Sequence, residues 1–135
     1  MSVQLSVSVR NARLDAIEST IGTAAVLKIR TGAAPADVAT ADSGTVLATL
    51  SLPSDWMAAA SGGTKAKSGT WQDASADATG TAAHFRIYAS DGTTAHLQGT
   101  VTATGGGGDL TLDNTSIASG QSVTITSFSL TDGNA

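Results

Sequence analysis

The stretch HFRIYASDGTTAHLQGTV, residues 84–101, constrains this chain more than any other. Two alternating segments flank Asp91-Gly92, and a tight hairpin turn needs the positive φ that glycine adopts most readily. Phe85 and Ile87 alternate with His84, Arg86 and Tyr88, and Leu97 and Val101 alternate with His96, Gln98 and Thr100. A two-residue loop would set Ile87 against His96 and Phe85 against Gln98, apolar facing polar, which a one-sided core penalises. A three-residue loop, Asp91 to Thr93, with a glycine bulge pairs Ile87 with Leu97, His84 with Thr100 and Tyr88 with His96. The expectation is a half-buried antiparallel ribbon with both histidines on its polar face.

The rest of the chain predicts further short strands. Ser2 to Arg10 alternates Val3, Leu5, Val7 and Val9 with Gln4, Ser6 and Ser8, the pattern of an N-terminal strand over residues 1–10. Asn11 is placed to cap a helix over residues 11–22, with Leu14, Ile17 and Ile21 as its apolar stripe and Gly22 as its stop. Ala25–Arg30 and Thr45–Leu52 read as strands, the second buried on both faces because Leu47 opposes Val46, Ala48, Leu50 and Leu52 in parity. Between them, Thr31 to Gly44 has no periodicity and reads as a contact loop.

Pro53 closes the second strand, and Ser54 is placed to cap a helical turn over Asp55–Ala60, with Trp56 as a core plug. Lys65 and Lys67 read as solvating charges in a loop, and Gly69–Asp73 as a strand around Trp71. Gly105–Gly108 reads as a hairpin loop leading into Asp109–Asp113. In Ser122–Leu130, Val123 and Ile125 differ in parity from Phe128 and Leu130, which a bulge near Thr126-Ser127 reconciles. The tail after Leu130 is expected to fray or to dock on a partner. Short strands separated by turns define a mainly β chain, an antiparallel β-sandwich or barrel with one α-helix near the N-terminus, in a single domain over residues 1–135.

Composition bounds function. Aromatic residues make up 4% and charged residues 13%, so the core is built largely from small side chains. A net charge of −4 with scattered Lys and Arg lacks the basic footprint of a nucleic-acid binder. No apolar run is long enough to span a bilayer, and MSVQLSVSVR lacks the pattern of a signal peptide. The absence of cysteine removes disulfides and thiolate metal sites and fits an intracellular origin.

No motif carries chemistry. The Gly105–Gly108 run precedes Asp109 and a strand, not the helix and Lys-Ser/Thr of a phosphate cradle. His84 and His96 lie about 13 Å apart along the ribbon, at roughly 3.3 Å per residue, too far to share an ion. Asp73, Asp77 and Asp91 lack calcium-loop spacing and read as turn formers. No G-x-S-x-G elbow occurs. No catalytic, cofactor-binding or metal-binding residue is assigned, and the chain is expected not to be an enzyme.

Several stretches together carry a resemblance: RNARLDAIESTIG (10–22), LKIRTGAAPAD (27–37), GTVLATLSLPSDWM (44–57), SGTWQDASADATGTAAHFRIYASDGTTAHLQGTV (68–101) and GGGGDLTLDNTSIASGQSVTITSFSLTDGNA (105–135). The whole pattern resembles small structural proteins encoded among the head genes of tailed bacteriophages and prophages. The resemblance implies a virion component, first of all a capsid decoration or cement protein bound between capsomers. It implies the major capsid protein and further copies of the chain as partners, with a trimer suited to a threefold junction. It implies a place on the capsid surface after synthesis in the host bacterial cytoplasm. A head–tail connector or tail component, or a carbohydrate- or receptor-binding β-domain on the virion, is the alternative. The resemblance transfers no active-site residue.

Overall fold

A computed structural model of the chain describes residues 3–133. The fold is mainly β with a single N-terminal helix, as expected. Helix α1 (Val7–Ile21) is followed by β1 (Val26–Arg30), β2 (Val46–Ser51), β3 (Thr64–Ala66), β4 (Trp71–Asp73) and β5 (Gly80–Thr81). Then come β6 (His84–Tyr88), β7 (Ala95–Ala103), β8 (Leu110–Leu112), β9 (Ser116–Ile117), β10 (Val123–Ile125) and β11 (Ser129–Thr131). One five-stranded sheet has the order β2-β1-β6-β7-β8, and three two-stranded ribbons pair β10 with β4, β11 with β3 and β5 with β9.

The core lies between the large sheet and the ribbons. Leu27, Ile29, Leu50, Phe85 and Ile87 are fully or almost fully buried. Phe85 meets Phe128 edge-on at 5.6 Å, Phe128 meets Trp71 at 5.5 Å, and Trp71 meets Trp56 at 6.0 Å. This aromatic chain spans the gap that small side chains leave unfilled. The indole N–H groups have partners: Trp56 Nε1 donates to the Gly22 carbonyl at 3.1 Å, and Trp71 Nε1 to the carbonyls of Trp56 and Ser68. Trp56 is therefore the core plug expected, and it also ties the end of α1 to the sheet domain. The segment after Pro53 is extended and irregular, not the expected helical turn, because the Trp56 and Ser68 backbones bond to each other and Met57 bridges to Lys67.

The N-terminal strand is corrected. The described part of residues 1–10 forms no strand: α1 begins at Val7, with Ser6 as N-cap accepting from the Val9 amide at 3.2 Å. As a helix this segment satisfies its amides internally. The polar side of the helix decides the matter. Asn11 does not cap; its Oδ1 accepts from the Gly63 amide at 2.9 Å. Arg10 donates to the Asp132 carbonyl, and Arg13 pairs with the Asp132 carboxylate at 3.1 Å. The tail as far as Asp132 thus docks on the chain's own helix. Gly22, at φ +90°, ends α1 as expected.

The hairpin register agrees with the three-residue-loop expectation for Ile87↔Leu97 and His84↔Thr100. A bulge between Ile87 and Tyr88 places Tyr88 opposite Ala95, not His96. The connection after β7 differs from the expected hairpin loop: β8 runs parallel to β7, Val101 opposite Leu110 and Ala103 opposite Leu112. Parallel neighbours normally need a crossover of about a dozen residues or more. Here residues 104–109 suffice because the chain turns back against the Thr102 side chain. A Cβ on Gly108 would lie 2.8 Å from Thr102 Oγ1 and 2.9 Å from its backbone N, so only glycine fits. The Gly108 amide donates to that same hydroxyl at 3.0 Å.

Val46–Ser51 is buried from both sides, as its parity predicts. A register shift against β1 lets Leu47, Ala48 and Leu50 all reach full burial. The break between β10 and β11 likewise brings Val123, Ile125 and Phe128 inside, with Leu130 packed at the margin. Truncating the fully buried Leu50 would leave a cavity in the core. Leu50→Ala is expected to lower unfolding stability by about 2–5 kcal/mol, measured by guanidinium-induced unfolding followed by tryptophan fluorescence.

Candidate functional site

The expected half-buried ribbon is corrected at β6, where all five residues are buried. Phe85 and Ile87 face the core. His84, Arg86 and Tyr88 alternate to the opposite face, which residues 31–44 cover. That segment forms no helix or strand, yet it is pinned to the sheet through polar side chains.

Asp42 is the centre of the clamp. Its Oδ2 accepts from Arg30 Nη2 at 2.8 Å. Its Oδ1 accepts from Arg86 Nη1 at 2.9 Å and from the Tyr88 hydroxyl at 2.8 Å. Arg86 is 2% exposed, a position that a guanidinium tolerates only when its donors are satisfied. Nη2 donates to the carbonyls of Asp37 and Thr40 and to Gln98 Oε1, and Nε also donates to Gln98 Oε1. Gln98 in turn donates to the Pro35 carbonyl at 2.8 Å. His84 Nδ1 meets the Gly32 carbonyl at 2.7 Å; a carbonyl only accepts, so Nδ1 carries the hydrogen. His84 Nε2 is buried without a protein partner among the described residues. The loop therefore reaches the sheet at Gly32, Pro35, Asp37, Thr40 and Asp42.

The electrostatics follow from these contacts. Burial works against the Asp42 charge, but the Tyr88 hydroxyl and the two guanidiniums outweigh it and hold the carboxyl below its usual range. Burial, with the Asp42 carboxylate, pushes the Tyr88 phenol up. The Thr40 hydroxyl and amide hold Asp37 down, and the Thr94 hydroxyl with the Thr93 and Thr94 amides holds Asp91 far down in the hairpin turn.

A second strap fixes α1. Lys65, expected to solvate a loop, is 2% exposed. Its ammonium lies 2.7 Å from Asp15, 2.9 Å from Glu18 and 3.0 Å from the Ala58 carbonyl. Burial disfavours its charge, but the two carboxylates outweigh that and raise its pKa. Asp15 and Glu18 also accept from the Ala60 and Met57 amides. Lys67 stays partly exposed, 5.8 Å from the centre of the Trp71 ring.

The other singled-out residues scatter. His84 is buried, which corrects the expected pair of surface histidines, while His96 is exposed. Asp73 accepts from the Thr49 amide and Asp77 from the Thr49 hydroxyl, while Asp91 caps its own turn. No group of three or more His, Cys, Asp or Glu residues able to hold a metal occurs among the described residues. Among them, too, no helix is long and apolar enough to cross a membrane. The arrangement holds a long aperiodic segment against the sheet through polar contacts. Its key residues, Arg30, Asp42, Lys65, Arg86 and Tyr88, carry no spacing signature.

No family model, curated protein or solved structure matches this chain. The fold is mainly β, with a loop clamped to its main sheet.

The acid response of the clamp follows from Asp42. A carboxyl held below its unfolded value contributes stability in full above about pH 4, its unfolded pKa. That contribution is lost as pH falls through the folded value. Asp42→Asn should lower stability at pH 7 and flatten the fall in melting temperature between pH 5 and 2, both taken as approximate bounds, as read by thermal unfolding at stepped pH.

Proposed function

We propose that this chain is a structural, non-catalytic virion protein of a tailed bacteriophage, a decoration domain that binds between capsomers on the outside of the head. The observation that carries this reading is the clamped loop at residues 31–44. Ala33, Ala36, Ala39 and Ala41 are exposed along it, beside Asp37, Thr40 and Asp42, whose polar groups the clamp engages. Small side chains on a fixed backbone let a flat partner approach closely and leave little conformational freedom to lose on binding. Repetition over a shell multiplies a weak contact by avidity. The resemblance of the chain to small head proteins supports the same reading, and its acidic balance suits a surface turned away from the genome.

An exposed Trp56 or Trp71 beside polar groups would support the carbohydrate-binding alternative. Trp56 and Trp71 are both 0% exposed and bonded through their indole N–H groups, so nothing in the site favours it.

The test uses purified chain and shells of the phage or induced prophage that carries the coding sequence. Added chain should co-sediment with the shells and occupy many equivalent sites in a reconstruction. Ala36→Arg, at an exposed side chain between the Pro35 and Asp37 clamp points, should reduce occupancy at least tenfold while leaving the melting temperature within about 2 °C. Unchanged occupancy would remove the loop from the contact. A ring confined to one vertex would replace decoration with the connector reading.

A further inference from the structure

The clamp over residues 31–44 uses His84 only halfway. The ring is 0% exposed. Nδ1 donates to the Gly32 carbonyl at 2.7 Å, which holds the first turn of the loop on the sheet. Nε2 is buried as well, and no protein group among the described residues bonds to it. These contacts fit one protonation state. In the neutral ring with its hydrogen on Nδ1, Nε2 is an unused acceptor, which costs less than an unpaired buried charge. A second proton would make Nε2 a donor with no acceptor and the ring a cation with no counter-ion.

The neighbours of the ring reinforce that preference. Arg30 stands directly opposite His84 in the β1–β6 register, and opposed like charges in a sheet are destabilising. Arg86 lies two residues along β6 on the same face, and Lys28 two residues along β1, its ammonium on the Gly92 carbonyl. Tyr88, next on that face, donates to Asp42. From β7 the neighbour is Thr100, opposite His84, whose amide and hydroxyl donate to the Asp109 carboxylate. From the loop, Asp42 is committed to Arg30, Arg86 and Tyr88, and Asp37 Oδ1 to the Thr40 amide and hydroxyl. These three carboxylates are engaged by other donors, while two guanidiniums share the face of the ring.

We propose that His84 is a proton-sensitive latch for residues 31–44, closed while the ring is neutral and released at the Gly32 end when mild acid protonates it. Lifting Gly32 off the ring opens Nε2 to water, so the imidazolium gains in the open state the hydrogen bond that the closed state denies it. The open state therefore binds more protons, and the stability of the closed loop falls on acidification. A histidine changes charge between about pH 8 and 5, above the range in which a carboxyl such as that of Asp42 is neutralised. The two ends of the loop thus answer to acid in sequence. The Gly32 end goes first, through His84, and the Asp37–Asp42 end follows at lower pH as Asp42 loses its charge. Gly32, at φ +76°, is exposed, and a Cβ placed on it would meet nothing within 4 Å, so this end of the loop has room to lift. The latch concerns the loop itself and stands whether or not the loop is the docking surface proposed above.

Nuclear magnetic resonance of the whole chain tests this. The chain has two histidines, so His96→Gln leaves the His84 ring signals alone in their region. At neutral pH those signals should show the Nδ1–H tautomer. The Thr31 and Thr45 amides close the base of the loop. Between about pH 8 and 5 their exchange protection, corrected for the intrinsic rate, should fall about tenfold or more, with the midpoint of the His84 ring signals. Amides of the β1–β6 ladder should keep their protection. His84→Asn keeps a donor at the Nδ1 position but does not titrate, so its Thr31 and Thr45 amides should stay protected at about pH 5. Should that variant not fold, the titration of the unsubstituted His84 ring decides. A His84 that gains its proton while Thr31 and Thr45 keep their protection overturns the proposal. So does a ring that stays neutral over a closed loop at about pH 5, an equal fall in folded His84→Asn, or a loss of protection that includes the β1–β6 ladder.

Discussion

The pairing of the buried Arg86 guanidinium with the more exposed Asp42 carboxylate is the interaction on which the rest of the structure depends. Removing a guanidinium from water carries a desolvation cost of several kcal/mol, and a single carboxylate seldom offsets it. Arg86 succeeds because its planar fork also reaches two loop carbonyls and Gln98. A lysine at this position would offer a point charge and could not distribute its donors in that plane. The partners that satisfy Arg86 come from a segment with no secondary structure, so charge satisfaction and loop ordering are the same event. Tyr88 and Arg30 share Asp42, which makes the arrangement a network and not a lone pair.

This clamp explains how a chain so poor in aromatics covers both faces of its main sheet. The inner face has the aromatic series from Phe85 through Phe128 and Trp71 to Trp56. On the outer face, among the described residues, His84, Arg86 and Tyr88 meet a segment without helix or strand. That face is covered by backbone carbonyls of a loop, held by cations that project from the sheet. Lys65 repeats the principle at α1, where two carboxylates and a carbonyl from the neighbouring turn fix a helix whose apolar stripe is narrow. Polar contacts do the positioning that larger domains assign to hydrophobic area.

Local chemistry was a sound guide wherever a segment's neighbours were its own. The hairpin around Asp91-Gly92, the two-sided burial of Val46–Ser51, the stop at Gly22 and the break before Phe128 all follow from parity and turn chemistry. It misled where a distant partner decided. Ser6, Asn11 and Arg10 are compatible with either strand or helix until Gly63 and Asp132 are in place. Lys65 and Arg86 look like surface charges because the groups that receive them lie far along the chain. The return of β8 alongside β7 could not be anticipated from a glycine run, because it depends on contact with the Thr102 side chain.

By itself, then, the order of residues determined a mainly β chain with one helix near its start, the register of its central hairpin as far as Ile87 and Leu97, and the side of the hairpin strand that meets the core. These depend on the period of side chains along a backbone and on the few residues that permit tight turns. The tertiary structure alone decided that residues 31–44 are held against the sheet, that His84, Arg86 and Lys65 are interior, and that the first valines begin a helix. Each of those outcomes rests on satisfying a buried charge or a backbone amide with a partner remote in sequence, and no local period encodes where such a partner will be.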